Sequence, residues 1–171
     1  LFALGNSSDL FLLLLAKTRF NLGMASLLGL WMALHLSKVV FSFIGGALSD
    51  KLGRRPLIVA GWLVYALVYL ALAFVGQAWQ FWSLFVGYGL YYGLTEGVEK
   101  ALVADLAPVQ LRGTAYGVYH GVLGFAALPA SLLFGVFWKF FGAPVAFGIG
   151  AALAALAAVM LTVVLSTAKK G

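Results

Sequence analysis

The sequence predicts an all-α protein that crosses a membrane several times, and three observations support this fold class. The chain of 171 residues is 64% apolar and 9% charged, which leaves too little polar surface to cover a water-soluble globule. Its apolar residues form long runs near the ~20 residues that a helix needs to cross the hydrocarbon core. Since these runs do not alternate as barrel strands do, and lipid-exposed backbone needs internal hydrogen bonds, we expect helices.

Six transmembrane helices are predicted, forming a single bundle over residues 1–171. Proline and glycine punctuate the pattern, with Pro56 and Pro144 near helix starts and Gly142 at a turn. Pro129 lies inside a span, where we expect a kink. Glycines four residues apart predict close helix contacts on two spans, at 89, 93 and 97 and at 113, 117 and 121. The predicted spans are roughly residues 1–16, 23–49, 56–76, 80–106, 113–139 and 144–167.

The chain begins at Leu1 inside its first apolar run, without a basic leader or a small-residue cleavage site. We therefore expect the first helix to be truncated and the chain to be part of a longer protein, without a signal peptide. Cysteine is absent, which excludes disulfides and thiolate metal sites. Phosphate-loop, zinc-protease and nucleophile-elbow patterns are also missing, so neither an enzyme nor a cofactor or metal is expected.

Basic residues near the span ends predict the orientation of the bundle. By the positive-inside rule, the side with more of them faces the cytoplasm, and it also holds the C-terminus. The formal charge of +6 is therefore a topology signal, and we expect no nucleic-acid partner because a soluble basic face is missing. The richer side holds Lys51, Arg54, Arg55, Arg112, Lys169 and Lys170, and the other side holds Lys17, Arg19 and Lys139.

Ionisable side chains fall within four of the six predicted spans. A charge at bilayer depth costs ~2.5–3.5 kcal/mol or more, so such groups should face protein or a wet cavity. We therefore expect the first, second, fourth and fifth helices to surround a central path, with the third and sixth turned towards lipid. The residues concerned are Asp9; His35 and Lys38; Glu96, Glu99 and Lys100; and His120.

Helical spacing places polar and aromatic side chains on common faces of these spans. Aromatic planes beside polar groups suit a small organic solute that is aromatic or amphiphilic. The alternative is that these side chains only hold the helices together. The candidate solute and proton pathway consists of Asn6, Asp9, His35, Lys38, Tyr88, Tyr92, Glu96, Tyr116, Tyr119 and His120.

Two of these residues lie near the middle of the membrane. Lys38 and Glu96 are each ~15 Å from the cytoplasmic ends of their predicted helices. We expect Glu96 to couple proton and solute movement, with Lys38 as its counter-charge. For Asp9, contact with the solute and pairing with Lys17 or Arg19 stay open alternatives.

A short loop between the second and third spans carries Gly46-Ala47-Leu48-Ser49-Asp50-Lys51-Leu52-Gly53-Arg54-Arg55. This segment resembles the signature loop of the major facilitator superfamily, whose pattern is G-x-L-[AGS]-D-[RK]-x-G-R-[RK]. A weaker resemblance to the tenth and eleventh helices of bacterial members covers residues 96–117. The resemblance implies the C-terminal six-helix half of a twelve-helix transporter.

The resemblance also implies a mechanism and a location. A small organic solute would be moved by alternating access, and we expect a proton to drive it. The partners would be the lipid bilayer of a bacterial-type plasma (inner) membrane and the missing N-terminal six-helix half. A conformational latch is implied for Gly46, Asp50, Gly53, Arg54 and Arg55. The alternative function is that of a non-transporting membrane scaffold or assembly protein. The alternative assembly is a homodimer of six-helix units, and the alternative role of the loop is to set topology alone.

Overall fold

The protein is all-helical in the computed structural model, which describes the backbone of residues 1–168 and the side chains of residues 1–163. No strand occurs within this range, which confirms the all-α class. Lys169 and Lys170, used above to predict orientation, lie outside the described residues. The helices are α1 (Phe2–Gly5), α2 (Leu10–Phe20), α3 (Met24–Leu52), α4 (Arg54–Phe74), α5 (Ala78–Leu106), α6 (Arg112–Phe141) and α7 (Ala143–Ala168), with a 3₁₀ turn at Val109–Leu111.

Four segments of the described chain are long and apolar enough to cross a membrane. They are α3, α4, the 3₁₀ turn joined to α6, and α7 as far as Val163. Helix α5 is as long as α3, with 29 residues, but it carries several charged side chains in its second half. The bounds of α3 to α7 agree with the predicted spans to within three residues, whereas the count of six transmembrane helices stays a prediction.

The prediction of one continuous helix over residues 1–16 is wrong. Helix α1 ends at Gly5 and α2 begins only at Leu10, and residues 6–9 between them are not helical. Their sequence is Asn-Ser-Ser-Asp, and these short polar side chains compete for backbone hydrogen bonds and disfavour helix interiors. Helix α2 instead continues to Phe20. Helix α6, in contrast, runs through Pro129 without interruption.

Helices α4 and α5 form the centre of the bundle. Helix α4 packs against both α5 and α7, and α5 also packs along α3. Helices α3 and α6 expose most of their surface. The core is rich in aromatic rings, and its largest fully buried side chains are Tyr65, Tyr69, Tyr88, Phe81, Phe85 and Phe147.

One face of α4 is exposed and wholly apolar. Its residues recur every three or four positions, as on a helix that turns one face to lipid. The opposite face of α4 is buried against α5 and α7. Helix α4 corresponds to the third predicted span, so the expectation that this span faces lipid applies to only one of its sides. The exposed stripe consists of Ala60, Leu63, Leu67, Leu70 and Phe74.

Glycine lets α3 and α5 approach closely. A Cβ atom on Gly45 would overlap the carbonyl group of Gly93, and one on Gly89 would overlap the side chain of Ser37. Glycine is therefore required there for backbone contact, which confirms the packing role of Gly89 and Gly93. The other predicted packing glycines, Gly97 and the series 113, 117 and 121, have open space around them, so their packing role is wrong within this chain.

Two adjacent glycines of α3 allow a matched test of this contact. We expect Gly45→Ala to destabilise the protein by about 1–3 kcal/mol, because the methyl group meets backbone of α5 that cannot move aside easily. Gly46→Ala is the control, since nothing lies within 4 Å of its Cβ and alanine favours a helix by roughly 1 kcal/mol. Unfolding in detergent measures both variants. Equal stability would contradict the close approach of the two helices.

Candidate functional site

Asp9 binds three side chains from two other helices at the break between α1 and α2. Lys38 Nζ donates to Asp9 Oδ2 at 3.3 Å. The Tyr92 hydroxyl lies 2.9 Å from both carboxylate oxygens, and the Tyr88 hydroxyl donates to Oδ1 at 3.1 Å. The Lys38 ammonium also lies 3.4 Å from the centroid of the Tyr92 ring, a cation–π contact. We call these four residues the Asp9 cluster.

The ion pair of this cluster is largely shielded from the surface. The side chains of Lys38 and Asp9 are only 19% and 13% exposed. Lys38 lies midway along α3 (Met24–Leu52), and an unpaired charge at such depth would be costly in a membrane. Pairing together with hydroxyl donors offsets much of that cost. Asn6, another predicted pathway residue, lies in the same break.

Further tyrosine hydroxyls contact the same break, and sequence reasoning missed them. They come from the buried faces of α4 and α5. A pair of tyrosines one turn apart in the otherwise apolar third span was the available signal, because a buried hydroxyl needs a partner. The contacts are Tyr65 hydroxyl to Gly5 carbonyl (2.9 Å), Asn6 Nδ2 to Tyr91 hydroxyl (3.1 Å), and Ser7 Oγ with the Tyr69 hydroxyl (3.3 Å).

The expected pairing of Lys38 with Glu96 is wrong. Glu96 Oε1 instead accepts from Lys100 Nζ at 3.0 Å, one helical turn away on α5. Their side chains are 55% and 41% exposed, and residues four apart on a helix are natural neighbours. Asp9 holds Lys38 because the connection between α1 and α2 places its carboxylate beside α3 and α5.

The alternative pairing of Asp9 with Lys17 or Arg19 is also wrong. These two residues lie in the last turn of α2, whereas Asp9 immediately precedes that helix. At 1.5 Å per residue, the two sites are separated by roughly 12–15 Å along the axis.

Tyr116 and Tyr119 belong to a second polar cluster, not to the Asp9 cluster. Glu99 Oε2 accepts from the Tyr119 hydroxyl at 2.6 Å, and Glu99 Oε1 accepts from Trp62 Nε1 at 3.2 Å. The Tyr116 hydroxyl donates to the Lys100 carbonyl at 3.2 Å. These contacts join α4, α5 and α6, so Glu99 links three helices.

Neither histidine of the predicted pathway contacts the Asp9 cluster. His35 Nδ1 lies 2.8 Å from the Trp31 carbonyl of its own helix, and the His35 side chain is exposed. His120 is exposed, with its ring 5.1 Å from that of Tyr119. Among the described residues, no group of three histidine, aspartate or glutamate side chains is arranged to hold a metal ion.

The predicted latch loop forms a charge cluster centred on Arg54. Its Nη1 atom lies 2.9 Å from Asp50 Oδ1 and also bonds the Ser49 hydroxyl, while its Nε atom lies 3.2 Å from Asp105 Oδ2. Arg54 thus connects the end of α3 with the end of α5. Gly53 adopts a φ of +89°, which favours glycine.

The other two latch residues are open to solvent or to a partner. Gly46 has nothing within 4 Å of where a Cβ atom would lie. Arg55 is exposed and forms no ion pair within residues 1–163.

Comparison with known proteins agrees with the resemblance of the loop. The model of the Major Facilitator Superfamily matches residues 1–171. The chain belongs to this superfamily. The superfamily consists of membrane transporters, which makes the chain an integral membrane protein of a transporter family and not an enzyme.

Individual relatives support this membership. The chain is 34% identical over 144 residues to an uncharacterized MFS-type transporter of Methanocaldococcus jannaschii, covering 81% of this chain and 36% of that protein. It is 32% identical over 109 residues to the class H tetracycline resistance protein of Pasteurella multocida (63% and 27% covered). It is 31% identical over 112 residues to the cis,cis-muconate transport protein of Acinetobacter baylyi (64% and 26% covered). The match spans about a third or less of each relative's length.

A double-mutant cycle tests the energy of the buried ion pair. We expect Asp9→Asn and Lys38→Gln to show a coupling energy of about 1.5–3 kcal/mol, since removing either partner leaves the other shielded and unpaired. The matched cycle is Glu96→Gln with Lys100→Gln, an exposed pair one turn apart, where about 0.5 kcal/mol or less is expected. Unfolding in detergent gives both values. Equal coupling energies in the two cycles would contradict the inference that the shielded Asp9–Lys38 pair is the stronger one.

Proposed function

We propose that the chain is half of a secondary transporter that moves a small organic solute by alternating access, driven by a proton. The observation that carries this proposal is the Asp9 cluster, an ion pair held by two tyrosine hydroxyls within helices of a transporter family. Ionisable residues at bilayer depth are costly and are typical of solute and proton paths. The cluster therefore marks the proposed solute site.

The surroundings of the cluster support an organic solute with apolar and polar parts. Tyr88 and Tyr92 contribute aromatic rings as well as hydroxyl groups, and binding pockets combine apolar walls with a few placed polar groups. The relatives' names indicate different solutes, a tetracycline in one and cis,cis-muconate in another. The solute of this chain therefore has to be inferred from its own side chains.

The exposed surfaces of α3 and α6 support a missing N-terminal half as the partner. Polar residues lie exposed on both helices, including His35, Ser42 and His120, and polar side chains are unfavourable against acyl chains. We propose six transmembrane helices in this half. The loop around Arg54 and the C-terminus would face the cytoplasm of a bacterial-type inner membrane.

A membrane scaffold is the second candidate, and one observation favours it. Many polar side chains of the described residues are paired with side chains of other elements, as in the Asp9–Lys38 ion pair and the contacts of Glu99 with Trp62 and Tyr119. Such pairing is what helix-joining side chains show when no solute passes. A transport assay separates the two candidates.

Reconstituted full-length protein tests the transport proposal. We expect an inward-directed proton gradient to drive accumulation of at least one member of a panel of anionic, neutral and cationic aromatic solutes into proteoliposomes. Asp9→Asn should reduce this accumulation at least tenfold, because it removes the carboxylate of the Asp9 cluster, which we propose as the proton site. Uptake of labelled solute against the gradient is the measurement.

Glu96→Gln is the matched variant for this assay. Loss in Glu96→Gln without loss in Asp9→Asn would return the coupling role to Glu96, as the sequence predicted, and equal loss would require both carboxylates. If no solute is accumulated by the intact protein, the transport proposal fails and the scaffold candidate stands.

The latch is tested at Gly46. We expect Gly46→Leu to leave the stability of this chain nearly unchanged, because open space surrounds that position, and to slow transport at least tenfold by blocking the approach of the other half. Unfolding and uptake are measured on the same preparation. Unchanged uptake in a stable Gly46→Leu variant would contradict a latch at this position.

A further inference from the structure

The two charged groups of the Asp9 cluster differ in how fully they are hydrogen-bonded. The Asp9 carboxylate accepts from Lys38, Tyr88 and Tyr92, which uses most of its acceptor capacity. The Lys38 ammonium has three N–H donors, and its one hydrogen-bond acceptor among the described residues is Asp9. Lys38 is also the more exposed of the two, 19% against 13%. The ammonium also lies over the face of the Tyr92 ring, so the cluster keeps at least one free donor and has few free acceptors.

Free donors on a cation favour an anionic ligand over a cationic one. A carboxylate could bind the remaining N–H groups of Lys38 in a charge-assisted hydrogen bond. A cationic ligand would have to displace Lys38 or a tyrosine hydroxyl from Asp9. The arrangement thus indicates an organic carboxylate as the ligand class.

Charge balance then requires a second ligand. The cluster is neutral overall, with one carboxylate and one ammonium group. An anion alone, or a proton alone, would leave one uncompensated charge in a site of low dielectric, which is unfavourable. An anion bound together with a proton keeps the site neutral.

Among the groups of the cluster, the Asp9 carboxylate is the one that can accept this proton, because Lys38 and the tyrosines already carry theirs. Lys38 faces it from α3, and Tyr88 and Tyr92 face it from α5. From α4 the neighbouring hydroxyl is that of Tyr69, which contacts Ser7 in the same break. The remaining ionisable groups of the predicted pathway have other contacts, His35 with the Trp31 carbonyl, Glu96 with Lys100, and His120 with the Tyr119 ring.

We propose that the Asp9 cluster binds an organic carboxylate and a proton together, one for one, which would make the transporter a proton–carboxylate symporter. The proton adds to Asp9 and breaks its ion pair with Lys38, and the freed ammonium pairs with the carboxylate of the solute. The new O–H of Asp9 donates to a hydroxyl oxygen of Tyr88 or Tyr92. Release on the other side of the membrane reverses these steps. This inference rests on the proposed transport function.

Three probes with the same ring test the ligand class on the full-length protein in detergent. They are benzoate, benzamide and benzylamine, which differ in charge. We expect benzoate to bind and the other two not to bind, by titration calorimetry and by a rise in melting temperature. Calorimetry in two buffers of different ionisation enthalpy should show one proton taken up for each benzoate. Since the proton is taken up on binding, the benzoate affinity should fall as the pH rises, by up to about tenfold per pH unit.

Variants separate the roles of the two charged residues. Lys38→Gln should weaken benzoate binding at least tenfold, whereas Lys38→Arg should retain it, and Lys17→Gln is the control because Lys17 is exposed at the far end of α2. Asp9→Asn imitates the protonated carboxyl group. It should bind benzoate at least as tightly as the parent at pH 8, without proton uptake and without dependence on pH.

Several results would overturn the inference. Binding of benzylamine without benzoate would indicate a cation at Asp9, and binding of benzamide alone would indicate a neutral solute. Benzoate binding without proton uptake, or no binding of benzoate, would also contradict it. In each case uptake of another solute into proteoliposomes would leave the transport function standing, whereas the absence of any uptake would overturn both.

Discussion

The break between α1 and α2 imposes the constraint on which the rest of this bundle depends. Backbone and polar groups in a non-helical segment of a membrane protein need partners within the protein wherever lipid surrounds it, because lipid supplies none. Tyrosine hydroxyls from α4 and α5 provide those partners for Gly5, Asn6, Ser7 and Asp9. Both helices must therefore lie at the centre of the fold. The rings pack against each other there, with those of Tyr65 and Tyr69 4.0 Å apart.

This arrangement gives the two ends of the ion pair unequal numbers of contacts. Asp9 accepts from two hydroxyls, that of Tyr88, which is buried in the core, and that of Tyr92, which packs against the core. Lys38 is held by one carboxylate and one ring face at the end of a flexible side chain. A ligand that approaches the cluster can move Lys38 at little cost, since the lysine stem has several rotatable bonds. Lys38 is thus the adaptable member of the site.

Features with a local cause could be predicted from the sequence, and features that depend on neighbouring helices could not. The bounds of α3 to α7 follow from apolar length and from glycine and proline at the ends. Helical spacing places Lys38 on a polar face of α3, but it does not tell which carboxylate that face meets. The break at residues 6–9 had a local signal, four short polar residues in a row, which the surrounding hydropathy outweighed. Tyr65 and Tyr69 could not be placed at the site in this way, because the third span has no charged or histidine side chain and was expected to face lipid.

Glycine spacing likewise predicts a surface suited to close contact without showing which helix makes that contact. Gly89 and Gly93 on α5 pack against α3, whereas Gly117 and Gly121 on α6 have the same spacing and lie open. The pattern alone describes a surface suited to close approach and does not name the surface that approaches it. Near these open glycines, α6 also exposes His120, which is unfavourable against acyl chains. A polar histidine and exposed glycines favour protein or water on that face, whereas the apolar stripe of α4 suits contact with lipid.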